Sequence, residues 1–271
     1  MTNLLLREIN VSSILTVVAI VAVLAIVFAS LIVIVSKLCA VKEDERISQV
    51  TENLAGANCG GCGYAGCADF AKALVEGKAE INSCGACPAE NKEKIAQILG
   101  VPFTAQAEMV AVVNCAGGNN CKDKFNYVGN SGCSAQNAFL GGRKVCPQGC
   151  LGDGSCAEAC QFNGIKVIDG YAVTDKSLCS ACGACVRKCP KNLISLIPKS
   201  AKVYVACSTT CRGKDVMNAC TVGCIGCGLC AKNCPNGAIT MQNNLPVIDY
   251  DKCSGFLVCV QKCPRKCIKQ F

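Results

Sequence analysis

The stretches that decide the fold are CSACGACVRKCP at residues 179–190 and CIGCGLCAKNCP at residues 224–235. Both read C-x2-C-x2-C-x3-C-P. In this run three cysteines hold one [4Fe–4S] cluster, and the fourth crosses to a neighbouring cluster. Two copies make Met109 to Phe271 an internal repeat.

Each copy therefore needs a partner set, as in bacterial two-cluster ferredoxins. Cys150, Cys156 and Cys160 precede the first copy with the right outer spacing, but Asp153 stands at the second ligand position. Cys146 is the natural substitute. The expected sets are Cys146, Cys150, Cys156 and Cys189 on one cluster, and Cys160, Cys179, Cys182 and Cys185 on the other. Ile165–Ile168 and Tyr171–Val173 supply the hairpin between the halves. In the second copy, Cys224, Cys227, Cys230 and Cys263 form one set. Its partner set has Cys234, Cys253 and Cys259, but Phe256 replaces the fourth ligand. That site is a [3Fe–4S] cluster, uses a non-cysteine ligand, or is distorted. Cys267 lies too close in sequence to Cys263 to fill it, and is expected as a free thiol beside the Cys224 cluster. Cys115, Cys133, Cys207 and Cys220 remain, and would hold a cluster bridging the two units. Cys121 and Cys211 are stand-ins for two of them; Cys39 and Cys87 are expected to be unligated. The fold class expected is α+β, with tandem ferredoxin-like units over 109–200 and 201–271 and about six clusters in all.

Upstream, residues 57–100 carry Cys59, Cys62, Cys67 and Cys84 with spacing C-x2-C-x4-C-x16-C. Gly60, Gly61, Gly63 and Gly66 let the backbone wrap closely around a [4Fe–4S] cluster. Helices are expected over Cys67–Lys78 and Pro88–Leu99. The rival reading, a zinc ribbon of Cys59, Cys62, Cys84 and Cys87, leaves Cys67 idle. Residues 101–108, with Pro102, form a linker.

The composition fits. Of 271 residues 28 are cysteine and none is histidine, which removes Rieske centres, mixed Cys/His zinc sites and histidine acid–base chemistry. Tight C-x2-C runs argue for metal over a disulfide scaffold. The formal charge of +8 counts cysteine as neutral. Thiolate-ligated clusters are anionic, so the lysines and arginines balance clusters rather than bind nucleic acid. No nucleophile, general base or nucleotide loop stands out, so no catalytic residue is expected. Lys188, Lys191, Lys262, Arg265, Lys266 and Lys269 flank cluster cysteines, and either offset cluster charge or steer an acidic donor protein.

After residues 1–13, residues 14–36 form a transmembrane helix, and Ile14–Val35 is free of charge. The apolar run is too long for a signal peptide, and no small-x-small cleavage site succeeds it. Residues 37–56 read as a linker helix. Lys37, Lys42 and Arg46 place the long C-terminal part in the cytoplasm, a reducing compartment that suits thiolate clusters. The span has no ionisable residue, so any ion path belongs to partners.

An N-terminal span, then CGGCGYAGC at Cys59–Cys67, then C-terminal ferredoxin motifs resembles RnfB, the cluster-bearing B subunit of the Rnf ion-translocating ferredoxin:NAD oxidoreductase. The resemblance covers essentially the whole chain, in its long cysteine-rich form; Phe256 departs from the usual motif. It implies that soluble ferredoxin delivers electrons to the C-terminal clusters, which pass them to the Cys59–Cys84 cluster. The A and E subunits, the flavin-bearing D and G subunits and the NAD-binding C subunit would take them on, coupled to Na+ or H+ movement. The alternatives are a polyferredoxin relay of another membrane complex, such as a hydrogenase, and a zinc-bound structural protein.

Overall fold

A computed structural model describes residues 11–38 and 44–271, with side chains described over 14–36 and 44–271. Residues 39–43, with Cys39 and Lys42, lie outside the described residues, and the first two positions of the linker helix expected over 37–56 belong to the preceding helix instead. The chain divides into two compact units, Met1–Glu45 and Arg46–Phe271.

The first unit carries α1, Val11–Leu38. Its stretch Ile14–Ser36 has a mean hydropathy of 3.3 with none of that surface buried in the protein. A 23-residue apolar helix is long enough to cross a bilayer. Ser30 satisfies its hydroxyl internally, donating to Ile26 O at 2.7 Å.

Helix α2, Glu45–Asn53, lies in the second unit from Arg46 onward. The helices α3, Cys67–Val75, and α4, Ala89–Leu99, come after it. Helix α3 stops one turn short of the expected end, where Gly77 takes φ +70°. Helix α4 starts directly after Pro88 and ends at Gly100 in the left-handed region. The three helices bury one small core of Val50, Leu54, Phe70, Leu74 and Ile95, together with Cys84 and Cys87. Asn58 fixes the start of α3 by accepting from Cys67 N at 2.8 Å.

Beyond residue 108 the same plan is built twice. In the first copy β1 (Met109–Val113) pairs antiparallel with β4 (Ile194–Pro198), and β2 (Ile165–Ile168) with β3 (Tyr171–Thr174). In the second, β5 (Val203–Val205) pairs with β8 (Ile268–Gln270), and β6 (Ile239–Gln242) with β7 (Leu245–Ile248). Short helices carry the inner cysteines: α5 (Cys133–Ala138), α6 (Ser155–Glu158) and α7 (Ala184–Lys188) in the first copy. The second has α8 (Gly213–Ala219), which holds no cysteine, then α9 (Leu229–Lys232) and α10 (Val258–Lys262) with Cys230 and Cys259. The fold class is thus α+β, as expected.

Strand alternation lets β1 serve two cores. Ala111 and Val113 pack with Cys156, Ile165 and Cys185, while Val110 and Val112 pack with Ile197 and Ala201. Each buried valine contributes about 1.5–3 kcal/mol. Four separate two-stranded sheets are nonetheless a thin scaffold.

Candidate iron–sulfur centres

The loop before α7 shows how the chain shapes a thiolate site. Cys160, Cys179, Cys182 and Cys185 line one cavity, the set expected. Gly164 N donates to Cys160 Sγ at 3.3 Å, and Ala111 N to Cys179 Sγ at 3.4 Å. Such N–H groups hold charge on sulfur. Burial pushes the Cys185 thiol up to about 11, so without a cation the site disfavours the very thiolates it collects.

The neighbouring cavity corrects the expectation. It is lined by Cys133, Cys150, Cys156 and Cys189, and Cys146 is not among them. The cause is α5. Ser155 Oγ accepts from Cys133 N at 2.9 Å, and the fully buried Gln136 donates to Asp153 Oδ2 at 2.7 Å. Helix α5 thus lies against the loop that lacks its cysteine and brings Cys133 into the vacant position. Leu193 N donates to Cys189 Sγ at 3.4 Å. Burial raises Cys150 to about 11 and Cys156 to about 12.

In the second copy Cys224, Cys227, Cys230, Cys263 and Cys267 all line one cavity. Cys267 is 1% exposed, and its Sγ lies 3.5 Å from that of Cys263. Its thiol also hydrogen-bonds Cys224, which draws Cys224 down to about 7 and Cys263 down to about 5. Cys234, Cys253 and Cys259 form a further group, in which burial first and the neighbouring thiols second raise Cys259. Phe256 is 60% exposed beside it.

At residues 57–100, Cys59 and Cys84 are raised chiefly by burial, and Cys62 adds to both shifts. Cys67 packs on the same core. Cys87 is buried, lifted to about 11 mainly by that burial, and its thiol donates to Asn53 O. These features suit a protonated thiol. The loop at Cys59–Cys62 also lies on the first ferredoxin-like unit: Arg187 Nη1 donates to Gly61 O at 3.1 Å and Nη2 to Gly60 O at 3.3 Å. A Cβ at Gly61 would stand 2.5 Å from Cys182 O, and one at Gly85 would stand 2.5 Å from Ala181 O.

The expected bridging set is also redrawn. A cavity of about 280 Å³ is lined by six cysteines, Cys115, Cys121, Cys146, Cys207, Cys211 and Cys220. Cys133 has left this group and Cys146 has joined it. The signal was present in the sequence: the interval from Cys146 to Cys220 equals that from Cys150 to Cys224.

Among the flanking cations, Arg265 is half-buried and tied to the carbonyls of Gly223 and Cys220. Lys191 Nζ donates to Gly141 O at 2.6 Å and Pro147 O at 2.9 Å. Lys188, Lys262 and Lys266 stay exposed.

The donor sets are cysteine only, and several of their sulfurs accept backbone N–H groups. Among the described residues no three side chains converge on a site for one bare metal ion. Cysteines ringing a volume fit a polynuclear cluster. Together with the repeated two-cluster fold they define an iron–sulfur electron-transfer protein.

Comparison with known proteins agrees. A family model for an Fe–S cluster matches residues 54–86, a 4Fe-4S binding domain matches 172–195, and a 4Fe-4S dicluster domain matches 223–267. The B subunit of the Na(+)-translocating ferredoxin:NAD(+) oxidoreductase complex of Acetobacterium woodii is 39% identical over 95% of this chain and 78% of its own length. The B subunit of the ion-translocating oxidoreductase complex of Methanosarcina acetivorans is 40% identical over 88% of this chain and 91% of its own. Its counterpart in the proton-translocating ferredoxin:NAD(+) oxidoreductase complex of Clostridium ljungdahlii is 35% identical over 95% and 93%. The chain belongs to this family, the RnfB proteins, and is an iron–sulfur, membrane-associated component of an ion-translocating oxidoreductase complex.

Proposed function

We propose that the chain takes electrons from reduced soluble ferredoxin and relays them through about six clusters to its partner subunits, for NAD+ reduction coupled to ion movement. The observation that carries this reading is the contact of Gly61, in the Cys59–Cys62 loop, with Cys182 and of Gly85, beside Cys84, with Ala181, which joins the N-terminal site to the ferredoxin-like units. Each bound cluster supplies a one-electron centre that changes little in geometry.

The protein's part is to hold and tune. The ligands of the regular sites are Cys59, Cys62, Cys67 and Cys84; Cys160, Cys179, Cys182 and Cys185; and Cys224, Cys227, Cys230 and Cys263. Cys133, Cys150, Cys156 and Cys189 hold another. Cys234, Cys253 and Cys259 hold a [3Fe–4S] or otherwise atypical cluster. Backbone N–H groups on sulfur and the partial burial of the cysteines set the potentials.

Helix α1 crosses the membrane once, with the cluster domains on the cytoplasmic side. With no ionisable residue in the span, it offers no ion path of its own. The A, C, D, E and G subunits complete the route. The relatives' complexes carry Na+ in one name and proton in another, and with no ionisable residue in this span the ion path is assigned to those partners. Lys188, Lys262 and Lys266 receive the acidic donor.

The test uses anaerobic inverted membrane vesicles supplied with reduced ferredoxin and NAD+. Removing this chain should abolish NADH formation; an undiminished rate overturns the relay. Reversing Lys262 and Lys266 to Glu should slow the reaction about tenfold at low salt and less at high salt. A rate independent of salt and of these charges removes the docking surface. Purified chain containing zinc without iron ends the cluster reading.

A further inference from the structure

We infer that the cavity between the two ferredoxin-like units is itself a [4Fe–4S] site, ligated by Cys115, Cys146, Cys207 and Cys220, with Cys121 and Cys211 as neighbouring free thiols. This rests on the electron-carrier reading and adds a site that the matched domains, at 54–86, 172–195 and 223–267, do not reach.

Six cysteines line the cavity, and a [4Fe–4S] cluster takes four. The repeat selects which. Cys115 follows β1 by two residues, and Cys207 follows β5 by two residues. Both strands pair with the last strand of their own unit. Cys146 stands before Cys150 as Cys220 stands before Cys224, each pair separated by three residues. The four sulfurs are therefore two copies of one pair, presented by two copies of one fold across a shared space.

Two interactions repeat with the cysteines. Cys150 N donates to Cys115 Sγ at 3.4 Å, and its counterpart Cys224 N donates to Cys207 Sγ at 3.3 Å. Gly117 N adds a second donor to Cys115 Sγ at 3.4 Å. The cation after Cys189-Pro190 and the cation after Cys263-Pro264 then secure the loops of Cys146 and Cys220. Lys191 binds Pro147 O, next to Cys146, and Arg265 binds Cys220 O itself. A fold that used these cysteines only as packing would have no need to repeat both the N–H···S bond and the cationic brace.

Cys121 and Cys211 have no such counterparts. Positions related to them by the spacing from Cys115 and Cys207 are Gly213 and Asn119. Cys121 lies opposite Cys220 in an isolated antiparallel bridge, and its thiol points to Lys122 O. The walls between the sulfurs are mostly apolar, with Val145, Ala206, Val216 and Val222, and carry Gln148, Ser208, Thr209 and Asp215 as their polar side chains.

The experiment is iron and sulfide analysis of the anaerobically purified full chain, with spin integration of the dithionite-reduced protein by EPR. Cys146→Ala and Cys220→Ala should each lower iron by about four per chain, or leave a [3Fe–4S] signal in the oxidised protein. Cys121→Ala and Cys211→Ala should keep the full iron and spin count. The Cys146→Ala/Cys220→Ala double variant should lose no more iron than either single variant, because both residues serve one cluster. An additive loss in the double variant overturns the assignment, even if the single variants fold poorly. Full iron in both Cys146→Ala and Cys220→Ala also overturns it, as does loss in Cys121→Ala or Cys211→Ala. Wild-type chain without iron sinks the electron-carrier reading itself; wild-type iron untouched by all four substitutions sinks only this site.

Discussion

Arg187 spans the contact between two cysteine sites by donating from both terminal nitrogens, with Nη1 3.1 Å from Gly61 O. It sits on α7, two residues after Cys185, and reaches the loop between Cys59 and Cys62. A planar guanidinium can serve two neighbouring carbonyls at once, which an ammonium matches poorly.

Arg187→Ala should therefore loosen this contact without unfolding either side. The two bonds are solvent-exposed, so the loss is about 1 kcal/mol. Hydrogen exchange at Gly60–Tyr64 should quicken roughly fivefold, and magnetic coupling between the two adjacent reduced clusters should weaken. Unchanged exchange and coupling would show that Gly61 and Gly85 hold the contact by shape alone.

The arrangement around Asp153 predicts a rescue. Cys133→Ala should cost about four irons per chain, because α5 supplies the ligand that the loop lacks. Asp153→Cys restores a cysteine at the regular loop position, so adding it to Cys133→Ala should recover the iron. Iron analysis of the three proteins checks this; a double variant as depleted as Cys133→Ala refutes it.

Cys267 offers the opposite expectation. It takes the place in the second copy that Leu193 takes in the first, four residues after the crossing cysteine, and both side chains are buried. Cys267→Ala should keep every iron and lose about 1 kcal/mol of stability in a denaturant titration. Cys263→Ala should lose a cluster. Equal iron loss in both would make Cys267 a ligand.

Iron removal should unfold the ferredoxin-like units. Isolated two-stranded sheets are marginal in water, and all four sheets here have two strands. Metal-binding free energy then becomes folding free energy. Anaerobic chelation should abolish the strand signal in circular dichroism and expose apolar surface to a dye. Retained strand signal in iron-free protein would mean that the small cores suffice.

Much of this was legible as spacing. A fixed interval between cysteines survives folding because a cluster loop is local, so Cys179–Cys189 and Cys224–Cys234 could be read from the chain. What spacing hides is a ligand arriving from another element. Cys146 was the nearest unassigned cysteine to the gap at Asp153, yet Cys133 lines that cavity, on a helix fixed by Ser155 and Gln136. Nothing in the residues between Cys133 and Cys150 marks that return. The two copies laid side by side did contain the answer for Cys146, because its counterpart Cys220 already belonged to the bridging group. Arg187 was hidden for the same reason as Cys133, since its partners lie more than a hundred residues away.

The pairing of β1 with β4 bears on how the protein can be cut. Domain matches begin at residues 172 and 223, which suggests tidy portable modules. The first strand of the earlier copy starts at Met109, however, and Cys133 lines the cavity of Cys150. A transplanted fragment beginning at the motif would leave behind a sheet partner and a thiol. The two copies also share the walls of one cavity, so neither half is a spare part for the other. The shortest piece that could be grafted as a working conductor is the whole of residues 109–271. Gene fusions and truncations should respect that length.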